Sequence, residues 1–301
     1  MKAFEFSEKA HMLAKNSHDD LYMPIKELQA LQQLGDICVT FDSNYRRAED
    51  YFVEALEIAV KLGLEESIHY AIISSSLGEV YIADSDYQRA QDAFEHAIML
   101  FTKLDVNDRA AYASNKLAVA LLRSGKLRLA METVESSAAL WEKANNEWGR
   151  GITMMVRGDL ALVKREFTDA EYHYKQALLK VTRDSDCWKA FEAECLRNIG
   201  VVKKEQQQRE EALDYVRRAL ELFRACKQIF DETNCLRLIA EWTLSDVSTD
   251  LDSRQMSISY LQTALERYDE MGLIKEKRAC EQLLASAAST PFGRPVLQVR
   301  L

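Results

Sequence analysis

The amino-acid sequence predicts an all-α protein built from stacked helical hairpins, and three observations carry this prediction. The chain has 301 residues but only 3 Pro and 10 Gly, so long helices meet few residues that would break them. Hydrophobic residues make up 48% and charged residues 29% of the composition, as in ordinary folded proteins, which excludes wholesale disorder. A pair of short signatures recurs six times at a nearly constant interval, which is typical of repeat proteins.

The first signature marks the first helix of each predicted hairpin. It is a hydrophobic residue followed by a small one, and successive copies lie 40 to 43 residues apart. Glycine inside a helix costs about 1 kcal/mol relative to alanine, so four glycines at one register indicate close packing at that point. Arg157 is the exception on the hydrophobic side. The six copies are Leu34-Gly35, Leu77-Gly78, Leu117-Ala118, Arg157-Gly158, Ile199-Gly200 and Ile239-Ala240.

The second signature, small-x3-large-x2-small, marks the second helix. Two antiparallel helices approach closely only where side chains are small, and we expect the large residue to fill the hole between hairpins. The last small residue follows the first signature by 19 residues in four units, by 20 in the first and by 24 in the sixth. The copies are Ala48-Phe52-Ala55, Ala90-Phe94-Ala97, Ala130-Val134-Ser137, Ala170-Tyr174-Ala177, Ala212-Val216-Ala219 and Ser257-Leu261-Ala264.

Turn residues between the two signatures separate the helices of each hairpin. Gly63 and Gly272 are predicted to stop second helices. The predicted turns within hairpins are Asp42-Ser43-Asn44, Asp84-Ser85-Asp86, Ser124-Gly125-Lys126 and Lys164-Arg165-Glu166.

The two ends of the chain are predicted to cap the repeats. Residues 1–27 hold one capping helix, with Phe6, Ala10 and Leu13 at helical spacing, and Pro24 marks the entry to the first hairpin. Residues 28–270 hold six repeats. Residues 271–288 form a C-terminal capping helix, because terminal repeats must cover their hydrophobic edge. Residues 289–301 form an extended or disordered tail, free or docked on this or another chain. The inner side of the C-terminal capping helix is predicted to carry Ile274, Ala279, Leu283 and Leu284.

Together the two signatures resemble the tetratricopeptide repeat, whose pattern is W-x2-L-G-x2-Y, then A-x3-F, then A. The second unit fits best, with Leu77-Gly78, Tyr81, Ala90, Phe94 and Ala97 in register. The usual Trp and the closing Pro are missing, and units of 40 to 43 residues exceed the common 34. Long units of this kind are similar to those of kinesin light chains, LGN-type scaffolds and bacterial regulators of the Rap and MalT types. The resemblance implies a right-handed α-solenoid.

The same resemblance implies where a ligand would bind, because the first helices of this family line a concave groove. Asparagine amides there can pair with the backbone of an extended peptide, and arginine can capture a carboxylate. The carboxylate clamp that binds chaperone C-termini is not reproduced in the first two units. The third, fifth and sixth units are the most ligand-like, and their predicted peptide-binding residues are Tyr112, Asn115, Lys116, Arg123, Arg197, Asn198, Asn234 and Arg237.

Motifs that carry catalysis, metals or cofactors are not found in the sequence. Glu66-x-x-His69 has the spacing of a di-iron ligand pair on a helix, but such sites need a second copy. The sequence has no HExxH, P-loop, GxGxxG or GxSxG motif. None of the six cysteines forms a CxxC pair, and each lies in an apolar helical context. We therefore predict a non-enzyme without metal or cofactor, with reduced cysteines in its core.

Net charge and hydropathy indicate which classes of partner the protein can bind. The formal net charge of −9 and pI near 5.3 argue against nucleic acid, and neither a membrane span nor a secretory signal is found. Free thiols favour the cytoplasm. We predict a non-catalytic scaffold or receptor that binds a protein or peptide segment. One alternative is the peptide-sensing module of a bacterial regulator, although residues 1–27 are too few for a DNA-binding domain. The other is a structural subunit that uses its convex face. Self-association is left open.

Overall fold

The computed structural model describes residues 8, 9, 12, 23–180, 186–246 and 249–289, and these form thirteen α-helices without a strand. Helix α1 spans Met23–Ile37 and continues into a short π-helical segment, Cys38–Asp42. Most of the predicted N-terminal capping helix, apart from residues 8, 9 and 12, and the predicted tail beyond residue 289 lie outside the described residues.

The other twelve helices continue the predicted alternation of first and second helices. Each odd-numbered helix from α1 to α11 pairs with the next helix to form a hairpin, and α13 follows the sixth hairpin. Their bounds are α2 Tyr45–Lys61, α3 Ile68–Ala83, α4 Tyr87–Lys103, α5 Asn107–Arg123, α6 Leu127–Lys143, α7 Glu147–Val163, α8 Phe167–Leu179, α9 Asp186–Glu205, α10 Arg209–Ala225, α11 Ile229–Leu244, α12 Leu251–Glu270 and α13 Ile274–Ser289.

The glycines of the first signature lie directly under large side chains of the second helix. A Cβ placed on Gly78 would come within 2.6 Å of the Phe94 ring, and one on Gly158 within 2.5 Å of the Tyr174 ring. Both rings are fully buried. The large residue therefore packs inside its own hairpin, on the glycine of the first helix. The sequence argument had placed it between hairpins, and in this respect it was wrong.

The predicted turns are confirmed, and each contains a residue in the left-handed region. Ser43 has a φ of 48° and Ser85 a φ of 57°. The side chain of Asp86 then accepts a hydrogen bond from the backbone N–H of Arg89 at 3.2 Å and caps α4. Gly63 and Gly272 have φ values of 68° and 77° and follow the ends of α2 and α12, as predicted.

Helix α13 packs on the last hairpin largely through the predicted face, since Leu283 and Leu284 are half-buried against the core, but Ile274 does not take part. Leu273, Cys280 and Ala287 are buried, whereas Ile274 is 60% exposed. Leu273 takes the buried position just before the helix begins. A side chain one residue further along a helix is turned by about 100°, so Ile274 points to solvent. The prediction for Ile274 was therefore wrong.

The two ends of the solenoid touch each other, which no sequence pattern predicted. One hydrophobic cluster contains residues of the first hairpin, of the sixth hairpin and of α13. The rings of Tyr45 and Phe230 meet edge to face with centroids 5.6 Å apart. Lys275 Nζ donates to the carbonyl oxygens of Asp84 at 3.3 Å and of Ser85 at 3.0 Å. The superhelix therefore closes on itself after six repeats.

Candidate ligand-binding groove

The candidate site is the face formed by the first helices α1, α3, α5, α7, α9 and α11, which we call the groove. A ladder of side-chain pairs joins neighbouring first helices along it. Ser76 donates to Asp36 at 3.4 Å, linking the first two repeats. Each rung pairs the residue after the signature glycine or alanine with the residue two positions before the next one. We call these pairs the inter-repeat ladder.

Two further rungs of the ladder are also polar. Lys116 Nζ lies 3.2 Å from Glu79 Oε2 and joins the second and third repeats. Asn198 Nδ2 donates to Asp159 Oδ1 at 3.2 Å and joins the fourth and fifth repeats. Between them, repeats three and four carry the apolar residues Val119 and Val156 at the equivalent positions.

The third repeat places an aromatic ring beside this ladder. Tyr112 donates to Glu79 Oε1 at 3.2 Å, and Lys116 Nζ lies 5.3 Å from the Tyr112 ring centroid. The Tyr112 ring also stacks with that of Trp148, whose ring meets those of Trp141 and Trp188 edge on. Burial lowers the pKa of Lys116, but the carboxylate of Glu79 outweighs burial, and the pKa lies well above its usual value. The Lys116 ammonium is therefore charged and held in place.

Asn115 and Arg123, on the same helix, occupy opposite environments. Asn115 is only 1% exposed and donates to Thr153 Oγ1 at 3.2 Å, so its amide lies between α5 and α7. Its Oδ1 has no hydrogen-bond partner among the described residues. Arg123 is exposed at the end of α5.

The fifth repeat holds Arg197 in an ion-pair network that reaches the sixth repeat. Arg197 Nη1 lies 2.5 Å from Asp231 Oδ1, and Nη2 lies 3.9 Å from Glu194 Oε1. Its Nε also donates to Asn198 Oδ1 at 3.4 Å. Burial opposes the charge on Arg197, but the adjacent carboxylates of Asp231 and Glu194 raise its pKa above the usual value. This guanidinium links repeats five and six.

The sixth repeat uses its predicted residues in a similar way. Asn234 Oδ1 accepts a hydrogen bond from Tyr268 Oη at 2.7 Å, which ties α11 to α12. Arg237 Nη1 lies 2.8 Å from Glu241 Oε2 one turn further along α11.

Several groove carboxylates hold their protons unusually tightly. Burial is the main cause that raises the pKa of Asp36 and of Asp159 to about 6 in each case, although hydrogen bonds from Ser76 and Tyr174 oppose the rise. Burial also raises the pKa of Glu194, against the opposing effect of Arg197. Burial therefore disfavours the charged form of these three carboxyl groups.

The structure brings the predicted residues onto one face but shows most of them already in contact with neighbours. The sequence analysis did not identify Glu79 and Asp159 as partners of Lys116 and Asn198. A usable signal existed, because Asn198 and Asp159 are 39 residues apart, close to one repeat length. Asp231, which binds Arg197, lay outside the expected groove positions and was missed.

Metal and membrane sites were also searched among the described residues. No group of three or more His, Cys, Asp or Glu side chains in them could hold a metal ion. Glu66 pairs instead with Lys103 at 2.6 Å. Cys195, Cys235 and Cys280 are buried free thiols, Cys38 is buried, Cys226 is half-buried, and the side chain of Cys187 is not among those described. Of the helices in the described ranges, none has the length and apolar character of a membrane span.

A cavity on the opposite face is the other concave surface of note. It lies between the second helices α10 and α12, has a volume of about 760 Å³, and is lined by Arg217, Leu213, Met256 and Tyr260 among others. Arg209 closes one end of it through an ion pair with Asp246.

Comparison with known proteins identifies the repeats. Tetratricopeptide-repeat profiles match residues 26–103 and residues 193–225. No curated protein gives a significant match.

Solved structures share the fold of the whole chain at low sequence identity. A Rap protein complexed with Competence and Sporulation Factor is 14% identical, with a TM-score of 0.66 over 95% of this chain and 80% of that one. NprR in complex with its cognate peptide NprX is 15% identical, with a TM-score of 0.66 and the same coverage. BtubC (BKLC) from P. vanneervenii is 18% identical, with a TM-score of 0.57 over 74% of this chain and 91% of that one.

Proposed function

The chain is a tetratricopeptide-repeat solenoid, and from that premise we propose that it is a non-catalytic receptor or scaffold that holds a protein or peptide segment in its groove. The observation that carries the proposal is the concentration of hydrogen-bonding and charged side chains on successive first helices. Two of the proteins with a similar fold, the Rap protein and NprR, were solved with a peptide or factor bound. Those ligands belong to those proteins, and they support a peptide as the class of ligand here.

The spacing of the groove residues suits an extended segment. Packed helices lie about 8–10 Å apart, which is roughly the length of three residues of extended chain. Polar groups of the third, fifth and sixth repeats would thus contact a segment at regular intervals. We propose that the contacts come from the residues expected on sequence grounds other than Asn115, whose amide is buried between α5 and α7, with Tyr112, Lys116, Arg197 and Arg237 as the main ones.

The charges of the groove favour a ligand of mixed charge. Each of Lys116, Arg197 and Arg237 already neutralises a carboxylate, so an acidic ligand must displace an internal partner. The net charge of −9 disfavours nucleic acid as a partner, because like charges repel.

The side chains of the groove supply no activated nucleophile. Burial raises the pKa of Cys235 to about 12, against the opposing effect of Arg197, and Cys195 is shifted in the same direction. Thiolates at these positions are therefore disfavoured at neutral pH. Free buried thiols also favour a reducing compartment, and we place the protein in the cytoplasm on that ground.

The test identifies the partner by affinity capture and mass spectrometry, and then measures its affinity for variants by calorimetry. Arg197→Ala and Arg237→Ala should each weaken binding by more than about tenfold, because truncating one member of a charge-assisted pair in an interface costs about 2–5 kcal/mol. Arg218→Ala is the matched control, since Arg218 lies on the second helix α10 and pairs only loosely with Asp214 at 3.9 Å. Unchanged affinity in both groove variants would refute groove binding.

A second candidate function is a structural subunit that uses its outer face. The cavity between α10 and α12 favours it, because Met256 is 51% exposed there beside Leu213 and Tyr260. Met256→Asp should abolish the association while the two groove variants leave it intact. The regulator alternative uses the same groove as the first proposal and differs in requiring the ligand to change the conformation of the solenoid.

A further inference from the structure

The contact between the two ends of the solenoid involves repeats that are not neighbours in the array. We call it the clasp and define it by the Tyr45–Phe230 ring pair, Lys275 and the Asp84–Ser85 turn. Ser85 and Lys275 are 190 residues apart, and Ser85 Oγ also contacts Glu276 Oε1 at 3.4 Å. Every other interface of a solenoid joins consecutive repeats.

The clasp is small compared with the interfaces inside the repeats. Its polar and ring contacts are one edge-to-face ring pair, the hydrogen bonds of one lysine to two carbonyl oxygens and that of Ser85 to Glu276, and Gly272 approaches Arg46 beside the apolar cluster that the two ends share. Within a hairpin, by contrast, a buried aromatic ring packs directly against a glycine of the facing helix. Few contacts hold the ends together, so the clasp should open at a much lower free energy than a repeat unfolds.

The clasp also lies next to the charged part of the groove. Phe230 precedes Asp231, which binds Arg197. The carboxylates of Asp231 and Glu79 help to raise the pKa of Tyr45, and Lys116 opposes them, after burial as the main cause. Residues of repeats one, two, three and six thus converge at one place.

We propose that the clasp is a reversible latch that switches the superhelix between a closed turn and an open one. In the closed state the Tyr45–Phe230 ring pair joins the first and sixth repeats, next in sequence to Asp231, the partner of Arg197. In the open state the first and sixth repeats separate. The latch does not require a ligand, so it is independent of what the groove binds.

A disulfide across the clasp measures the closed state directly. The Cβ of Arg46 lies 3.8 Å from a Cβ built on Gly272, within the range of about 3.5–4.5 Å found in disulfides. The full-length variant Arg46→Cys with Gly272→Cys is equilibrated in glutathione buffers, and the bond between these two positions is quantified by mass spectrometry. Its equilibrium gives the effective concentration of the two thiols, and therefore the population of the closed state.

Weakening the clasp should lower that effective concentration. Adding Phe230→Ala should reduce it by roughly two- to tenfold, the factor that one edge-to-face ring pair represents. Lys275→Ala should act in the same direction and, being at the surface, should leave the melting temperature almost unchanged. Lys277→Ala is the control, because Lys277 lies on the same helix but pairs with Asp269 at 2.6 Å.

Small-angle scattering of the oxidised and reduced protein completes the test. The reduced form should have the larger radius of gyration, because it samples open turns. A disulfide that fails to form would show that the ends do not meet. Equal radii, or an effective concentration that ignores both Phe230→Ala and Lys275→Ala, would show a permanent contact and would overturn the latch.

Discussion

Repeats two and four use the same two positions for different chemistry. In repeat two the ring packed against Gly78 is that of Phe94, which has no hydroxyl. The residue after this glycine, Glu79, forms an ion pair with Lys116 of the following repeat. In repeat four the ring is Tyr174, whose hydroxyl donates to Asp159 at 2.6 Å. The rung is then completed by an uncharged amide, that of Asn198.

The difference teaches how a buried carboxylate in this solenoid is accommodated. Repeat two provides a full opposite charge, so its carboxylate is part of an ion pair. Repeat four provides only two neutral donors, and burial raises the pKa of Asp159 to about 6 despite them. The equivalent rungs therefore differ: that of repeat two is an ion pair, and that of repeat four depends on the protonation of Asp159.

A large side chain at the glycine position that both repeats have should lower the free energy of unfolding by the largest amount. Gly78→Leu places side-chain atoms where the Phe94 ring lies, and we expect a loss of about 1–3 kcal/mol or more in the free energy of unfolding. Hydrogen exchange should show lost protection chiefly around residues 71–120, because repeats stabilise their neighbours. Thr102→Leu, on an exposed face of α4, is the control for added hydrophobic volume. A loss spread evenly over all repeats would contradict the packing described for Gly78.

Replacing Asp159 and Glu79 by their amides should show the difference between the two repeats most clearly, in how stability depends on pH. The pKa of Asp159 is raised from 3.8 to about 6 in the folded protein. The contribution of this group to the free energy of unfolding is therefore fully present below about pH 4 and is lost as the pH rises through about 6. Asp159→Asn should therefore raise the unfolding free energy at pH 7 by about 1–2 kcal/mol, and the gain should vanish near pH 4. Glu79→Gln should instead destabilise at pH 7, because Lys116 loses its partner. Urea titrations at pH 4 to 7 compare the two, and an Asp159→Asn gain that does not depend on pH would contradict the assigned pKa.

The smallest expected effect concerns the cation of repeat three. Lys116→Met leaves Glu79 without its partner, and since both side chains are about a third exposed, we expect a loss of about 1 kcal/mol. This loss should shrink at high salt, because salt screens the ion pair that the substitution removes. Asn198→Leu is the uncharged comparison, and its effect should not change with salt. Identical salt dependence of both variants would remove the distinction between the two rungs.

The helices, turns and glycine contacts could be predicted because they depend on local signatures that repeat along the chain. Gly78 and Tyr174 each occupy a fixed position in their repeat, and steric contact between the two helices of the hairpin determines which side chains fit there. The ladder partners and the clasp depend on the rise and rotation between repeats, which no single repeat encodes. The prediction for Ile274 was wrong for a related reason, because an error of one residue at the start of a helix turns a side chain from the core to solvent. The roles of the eight groove residues in binding stay predictions.

Closure of the superhelix has a consequence for how the protein loses structure. In a linear array the end repeats have one neighbour each, so melting begins there and spreads inward. Here the ring pair of Tyr45 and Phe230 gives the first and last repeats a second neighbour, which turns the array into a cycle. While this long-range contact is closed, fraying from either end must first break it, so the two terminal repeats should lose protection together and not independently of each other.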